Sequence, residues 1–215
     1  MVETTSPSPE RLARFDAGER VLHWINASLF AVMMGTAAAL YVGPISAAVG
    51  RREVVKTIHV WTGLALPVPV LFTFVTRRWG AGFRADVRRF NRWTADDRRW
   101  LRTWGRDSRV RSGKFNAGQK LNAAFTLGAI VVMLVTGSIM RWPRHFPLAW
   151  RTGATFVHDW IFLALAVTIT GHVLYAANDP DAMRAMARGW IPRPWARRHA
   201  PAWEEEATGN VPGPR

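Results

Sequence analysis

The chain contains no cysteine. That excludes disulfides, Cys-ligated iron–sulfur clusters, thiolate zinc sites, a cysteine nucleophile and c-type haem attachment. Any metal or redox chemistry must run on histidine, carboxylates or a bound cofactor. Lysine is nearly as scarce: of the 29 basic residues only Lys56, Lys114 and Lys120 are Lys, and the rest are Arg. Acids are few, 15 Asp plus Glu, which leaves a net charge of +14 over 215 residues. A pI near 11.7 is the balance of a protein that meets nucleic acid or an anionic surface. Where the charges sit decides between the two. Apolar residues are plentiful at 49%, with 12 Trp among them, yet mean hydropathy is only −0.04.

Charge is missing altogether from long stretches. Val21 to Gly50, Thr57 to Thr76 and Leu121 to Met140 hold no Asp, Glu, Lys or Arg, and Thr152 to Asn178 is interrupted only by Asp159. About 30 Å of hydrocarbon at about 1.5 Å per residue needs about 20 residues of helix. The fold class expected is therefore all-α: a bundle of four transmembrane helices near 21–43, 57–76, 120–141 and 155–178. Ser46-Ala47-Ala48 resembles a signal-peptide cleavage region, but the apolar run before it far exceeds the ~7–15 residues of a signal core and contains His23 and Asn26. An uncleaved first helix is expected. Pro67 and Pro69 should kink the second span about midway, which a membrane bundle tolerates when neighbours satisfy the freed carbonyls.

The cations set the orientation. Residues 1–20 hold three Arg, the 77–119 loop thirteen cations against four acids, and the segment beyond Asn178 six more, while the other two connections hold three each. By the positive-inside rule the N-terminal tail 1–20, the loop 77–119 and the C-terminal tail 179–215 are cytoplasmic, so both termini lie inside. Trp79, Trp93, Trp100 and Trp104 alternate with Arg in that loop. This suits a helix in the headgroup layer or a docking surface for another subunit. Beside two spanning helices it argues against nucleic acid. Thr4 to Glu10 and Pro201 to Arg215 read as flexible tails.

Four of the six histidines fall within or at the edge of the spans, and orientation sorts them by depth. His59 and His158 lie towards the outer face, and His23 and His172 towards the inner face. His158 and His172 are 14 residues apart, just under four helical turns, so they project from nearly the same face about 21 Å apart. Isolated polar residues bonding across the bundle could account for any one of them. Two levels of paired imidazoles instead suit two haems b, each taking two axial ligands. Gly63, Gly171 and Ala27 would leave room for a macrocycle, although small residues also suit ordinary helix packing. No i,i+3 or i,i+4 His/carboxylate pair within the spans favours zinc or di-iron. His145 and His199 are expected at the surface.

Several motifs together carry a family resemblance over roughly residues 11–206. His23-Trp24 opens the first span and Ile58-His59 the second. Lys114-Phe115-Asn116-Ala117-Gly118-Gln119-Lys120 precedes the third, and His158 with His172 lies in the fourth, ahead of a tail reading Trp195-Ala196-Arg197-Arg198-His199-Ala200-Pro201-Ala202-Trp203. The chain resembles the cytochrome b (gamma) subunit of membrane-bound formate dehydrogenases, within a wider group of respiratory di-haem b subunits. The resemblance implies a multi-pass subunit of the bacterial plasma (inner) membrane that does not itself act on formate. His59 and His158 would hold the outer of two haems b, and His23 and His172 the inner. Quinone, menaquinone or ubiquinone, would be reduced beside Asn116, Gly118, Gln119 and His172. The implied partners are membrane lipid, an iron–sulfur (beta) subunit and, through it, a molybdenum/tungsten catalytic (alpha) subunit. Two alternatives stay open: the same di-haem role in a hydrogenase or other respiratory oxidoreductase, and a haem-free membrane anchor. The Asn116 segment is open in the same way, since Asn116 with Gln119 also makes a capping-box start and Lys120 a snorkelling anchor.

Overall fold

The computed structural model describes residues 10–209, and its elements begin where the chain offers the right caps. After strand β1 (Arg11–Ala13), Asp16 Oδ1 accepts from the Glu19 amide while Glu19 Oε2 accepts from the Asp16 amide, both at 2.7 Å. This reciprocal cap starts α1 (Ala17–Tyr41). A short α2 (Gly43–Val49) ends at Gly50, whose φ of 63° a side chain would resist. The second span is α3 (Arg52–Ala65) followed by α4 (Val68–Val75), interrupted at Leu66-Pro67, where the prolines withhold two backbone donors. The Arg-rich loop folds into α5 (Ala81–Asn91) and α6 (Ala95–Thr103). Asn116 and Gln119 then cap α7 (Ala117–Arg141) reciprocally. After a single 3₁₀ turn (Pro143–His145), α8 (Leu148–Ala177) runs unbroken. The chain closes with α9 (Pro180–Arg188), β2 (Trp190–Pro192), α10 (Arg193–His199) and α11 (Pro201–Thr208).

Four rods are long and apolar enough to cross a membrane: Ala17–Tyr41, Arg52–Val75, Ala117–Arg141 and Leu148–Ala177. Each begins a few residues before the expected span because polar residues lead into the helix. They pack as two hairpins, α1 against α3 and α7 against α8, whereas α8 makes far fewer close backbone approaches to α1 or α3. Most of the apolar surface faces outward: Val75 and Val167 are 73% and 75% exposed, as lipid-facing residues should be.

The core of the kind found in soluble proteins lies outside the spans. Strands β1 and β2 pair antiparallel with Leu12 opposite Ile191, and these two pack with Ala185, Ala196, Ala200 and Trp203. Arg14 is buried beside them, donating to the Lys114 carbonyl at 2.7 Å and lying over the Trp195, Trp203 and Phe15 rings. Burial pushes its guanidinium down to about 10, so it stays charged at neutral pH.

Two expectations are corrected here. The segment from Pro201 is helical as far as Thr208 rather than a flexible tail. Trp203 is buried, Glu204 accepts from Arg193 and Arg197, and Glu205 and Glu206 pair with Arg111 and Arg89 of the middle loop. The acids of the tail match the Arg excess of the loop, and that complementarity orders it. Residues 4–9 and 210–215 of the expected tails lie outside the described residues. Nor does Lys120 snorkel: its ammonium is buried on Asp97 at 2.7 Å and the Arg92 carbonyl at 2.9 Å. Lys114 is likewise enclosed, on Asp86 at 2.7 Å and Glu19 at 3.1 Å. Lysine's compact charge can be surrounded from several sides, and a buried charge requires such pairing.

Lys120→Met should cost about 3–5 kcal/mol by stranding the Asp97 carboxylate, and adding Asp97→Leu should recover much of that loss, as read by denaturant titration of the solubilised protein. The bond from Arg193 holds the Glu204 carboxyl below the ordinary carboxylate range. A lowered folded pKa gives stability that is complete above the unfolded value of about 4.3 and is lost as pH falls through the folded one. Hydrogen exchange of α10 and α11 should accelerate across that acid window, and Glu204→Gln should remove the pH dependence.

Candidate functional site

The four spanning histidines stand in two pairs. The His23 and His172 ring centroids are 6.4 Å apart with planes at 62°; those of His59 and His158 are also 6.4 Å apart, at 65°. These are the pairs expected from depth. His23 lies in the second turn of α1 and His172 in the second-to-last turn of α8, whereas His59 and His158 sit at the opposite level. His145 and His199 are exposed.

The spacing of both pairs, 6.4 Å between centroids, is wide enough to admit a single ion between the rings. Two imidazoles held on one ion by bonds of about 2.0–2.1 Å, with about 1.2 Å from nitrogen to ring centre, would have centroids no more than about 6.4 Å apart. Among the described residues no group of three or more His, Asp or Glu is gathered as a metal site. A metal at either pair would thus take two protein nitrogens and draw its other ligands from its own cofactor. The space around the pairs is uneven. A Cβ at Gly171 or Gly35 would meet nothing within 4 Å, whereas one at Gly63 would lie 3.4 Å from the Met33 methyl.

The His59–His158 pair carries partners that sequence reasoning missed. His59 Nδ1 is 2.9 Å from Thr36 Oγ1, and His158 Nδ1 is 2.9 Å from Thr136 Oγ1. Each threonine lies on the neighbouring helix of its own hairpin. Only the pairing of α1 with α3 and of α7 with α8 reveals them, since nothing in the local sequence sets them apart from other helical threonines. Among the described residues no hydrogen bond reaches the ring of His23 or His172.

At the start of α7 the structure shows the cap in full. Asn116 Oδ1 accepts from the Gln119 amide at 2.9 Å and Gln119 Oε1 accepts from the Asn116 amide at 3.0 Å. Both side-chain oxygens are therefore committed, while Asn116 Nδ2 and Gln119 Nε2 make no hydrogen bond among the described residues. Gly118 is small for a local reason: a Cβ there would lie 2.7 Å from the Trp100 ring. Beside it Phe115 stacks on Phe90 with centroids 4.3 Å apart.

Comparison with known proteins gives the family. The sequence pattern of the prokaryotic cytochrome b561 family matches residues 14–189. The chain is 24% identical over 209 residues to the formate dehydrogenase cytochrome b556(fdo) subunit of Escherichia coli K12, covering 92% of this chain and 93% of the relative. It is 26% identical over 215 residues to the formate dehydrogenase cytochrome b556 subunit of Haemophilus influenzae, covering 91% and 83%. The nitrate-inducible formate dehydrogenase cytochrome b556(Fdn) subunit of Escherichia coli K12 is 27% identical over 169 residues, covering 73% and 72%. With the matched region running from the buried Arg14 to the left-handed Gly189 that closes α9, and including all four paired histidines, the chain belongs to the prokaryotic cytochrome b561 family.

Proposed function

We propose that this protein is the membrane electron-transfer subunit of a formate dehydrogenase complex, holding two haems b and passing electrons to quinone. The observation that carries the reading is the pair of 6.4 Å imidazole separations, one at each end of the bundle. His59 and His158 hold the outer haem, and His23 and His172 the inner. When bound, a haem supplies one-electron transfer at a potential set by its ligands and surroundings. The protein's part is to present four neutral imidazoles, keep the two levels about 21 Å apart along α8, and exclude water with an apolar shell.

Quinone is reduced at the inner level, beside Asn116, Gly118, Gln119 and His172. A carbonyl that gains electron density needs hydrogen-bond donors aimed at it. Asn116 Nδ2 and Gln119 Nε2 are suited to that role because their oxygens are held by the cap. Gly118 contributes by admitting Trp100, which walls the segment with an indole. The Arg excess in 1–20, 77–119 and 179–215 supports a cytoplasmic position for both termini and for this end of the bundle. The relatives' names support an assembly with formate dehydrogenase subunits. With no cysteine in this chain, iron–sulfur clusters delivering electrons at the outer face belong to a beta subunit, backed by a molybdenum/tungsten alpha subunit. The setting is the bacterial plasma membrane.

A reduced-minus-oxidised spectrum with pyridine haemochrome stoichiometry should give two haems b per chain. His23→Ala and His172→Ala should each remove one haem and abolish quinone reduction, while the outer haem still accepts electrons. Retention of both haem signals in those variants would overturn the ligand assignment. A purified protein without any b-type band would instead be a membrane anchor.

A further inference from the structure

We infer that Thr36 and Thr136 are positioning residues for the outer pair, each locking one imidazole in the tautomer and orientation that leaves Nε2 free to bind a metal. The inference rests on the ligand assignment proposed above. Each threonine first disposes of its own proton. Thr36 Oγ1 donates to the Val32 carbonyl at 2.7 Å, and Thr136 Oγ1 to the Val132 carbonyl at 2.8 Å. With its single proton so directed, the hydroxyl oxygen is an acceptor towards the ring nitrogen 2.9 Å away. Nδ1 of His59 and of His158 therefore carries the hydrogen, and Nε2 carries the lone pair. A metal-ligating imidazole in proteins typically donates its remote N–H to such an acceptor, which sets the ring plane and raises ligand basicity.

The arrangement occurs twice, in the same form. Val32-Met33-Met34-Gly35-Thr36 on α1 and Val132-Met133-Leu134-Val135-Thr136 on α7 share a Val-Met-x-x-Thr pattern. In both, the threonine also approaches the Met carbonyl, at 3.1 Å from Met33 and 3.3 Å from Met133. It faces a histidine 23 or 22 residues later on the second helix of the hairpin. The back-bond to its own helix holds the β-branched side chain in one rotamer, so each histidine is tied to a rigid point. His23 and His172 lack such a bond among the described residues, and this separates the two levels chemically. A more basic imidazole favours the ferric over the ferrous ion, so the threonines lower the outer potential relative to the inner. That is the direction that lets electrons entering outside run downhill to the inner level.

The test is a redox titration of the complex in its membrane with Thr36→Val and Thr136→Val, which keep shape but remove the acceptor, and with Thr36→Ser and Thr136→Ser, which retain it. Two one-electron waves are expected, the outer one being that missing in His59→Ala. In the Val variants this wave should move to higher potential by about tenfold in the ferric-to-ferrous binding ratio, ~59 mV for one electron. The inner wave should stay in place, the haem content should remain two per chain, and Ser should restore the original value. Loss of the outer haem in Val but not in Ser variants would also support the role. Unchanged potentials with both haems bound, movement of the inner wave, or equal loss of haem in Val and Ser variants would overturn it. Should His59→Ala and His158→Ala retain both haems, the ligand assignment itself fails. If they lose one haem while the Val variants titrate like the parent, only the threonine inference fails.

Discussion

One helix serves two levels, and the phase of its histidines governs the bundle. His158 and His172 are 14 residues apart on α8, roughly 40° short of four full turns, so a single face of α8 meets α3 at one end and α1 at the other. That works only if α8 is continuous. A proline or an extra residue between the two histidines would rotate one ring away from its partner. The same logic applies to α1, which carries His23 at one level and Thr36 at the other and is likewise unbroken over 25 residues. The second span carries only His59, and its interruption at Leu66-Pro67 falls beyond that residue. The helix break is located where no paired histidine depends on the register after it.

Because lipid is as apolar as the residues facing it, the hydrophobic effect does little to press spanning helices together. The two hairpins must be held by something else, and the structure places that work at one end. Lys114 joins Glu19 at the start of α1 to Asp86 on α5, immediately before α7. Lys120 joins the first turn of α7 to Asp97 on α6. Arg14, just after the N-terminal strand, reaches to the Lys114 carbonyl beneath two indoles of the C-terminal segment. The chain's two buried lysines thus couple the entry of the first hairpin, the middle loop and the entry of the second. The small core around Leu12, Ile191 and Trp203 adds ordinary water-driven burial where water is present to drive it.

The spans and the four histidines were legible because both follow simple periodicities: charge-free runs of membrane length, and depth along a helix of known rise. The proline break was legible for the same reason, since it depends on a missing donor at a known position. What escaped was long-range. The order in Pro201–Thr208 comes from acids meeting arginines 94 and 117 positions earlier in the chain, as in Arg111–Glu205 and Arg89–Glu206. The enclosed state of Lys120 depends on an acid 23 positions away. A local composition window sees only a polar tail and an interfacial lysine. Thr36 and Thr136 were invisible for a further reason: a threonine's acceptor matters only once the facing helix is known.

The Asn116 segment shows why two readings of one motif need not compete. A side-chain amide has an oxygen that accepts and a nitrogen that donates. A helix N-terminus presents backbone donors, so capping must consume the oxygens of Asn116 and Gln119, and it does. An incoming carbonyl requires donors, which are the nitrogens the cap leaves over. The orientation of each amide is then set by the backbone it caps, since reversing either would bring two donors together. On the proposed function the capping box is the device that aims the nitrogens. Loss of either residue would cost both the helix start and the donor set, whereas exchange of the Gly118–Trp100 contact would disturb the wall and leave the donors in place.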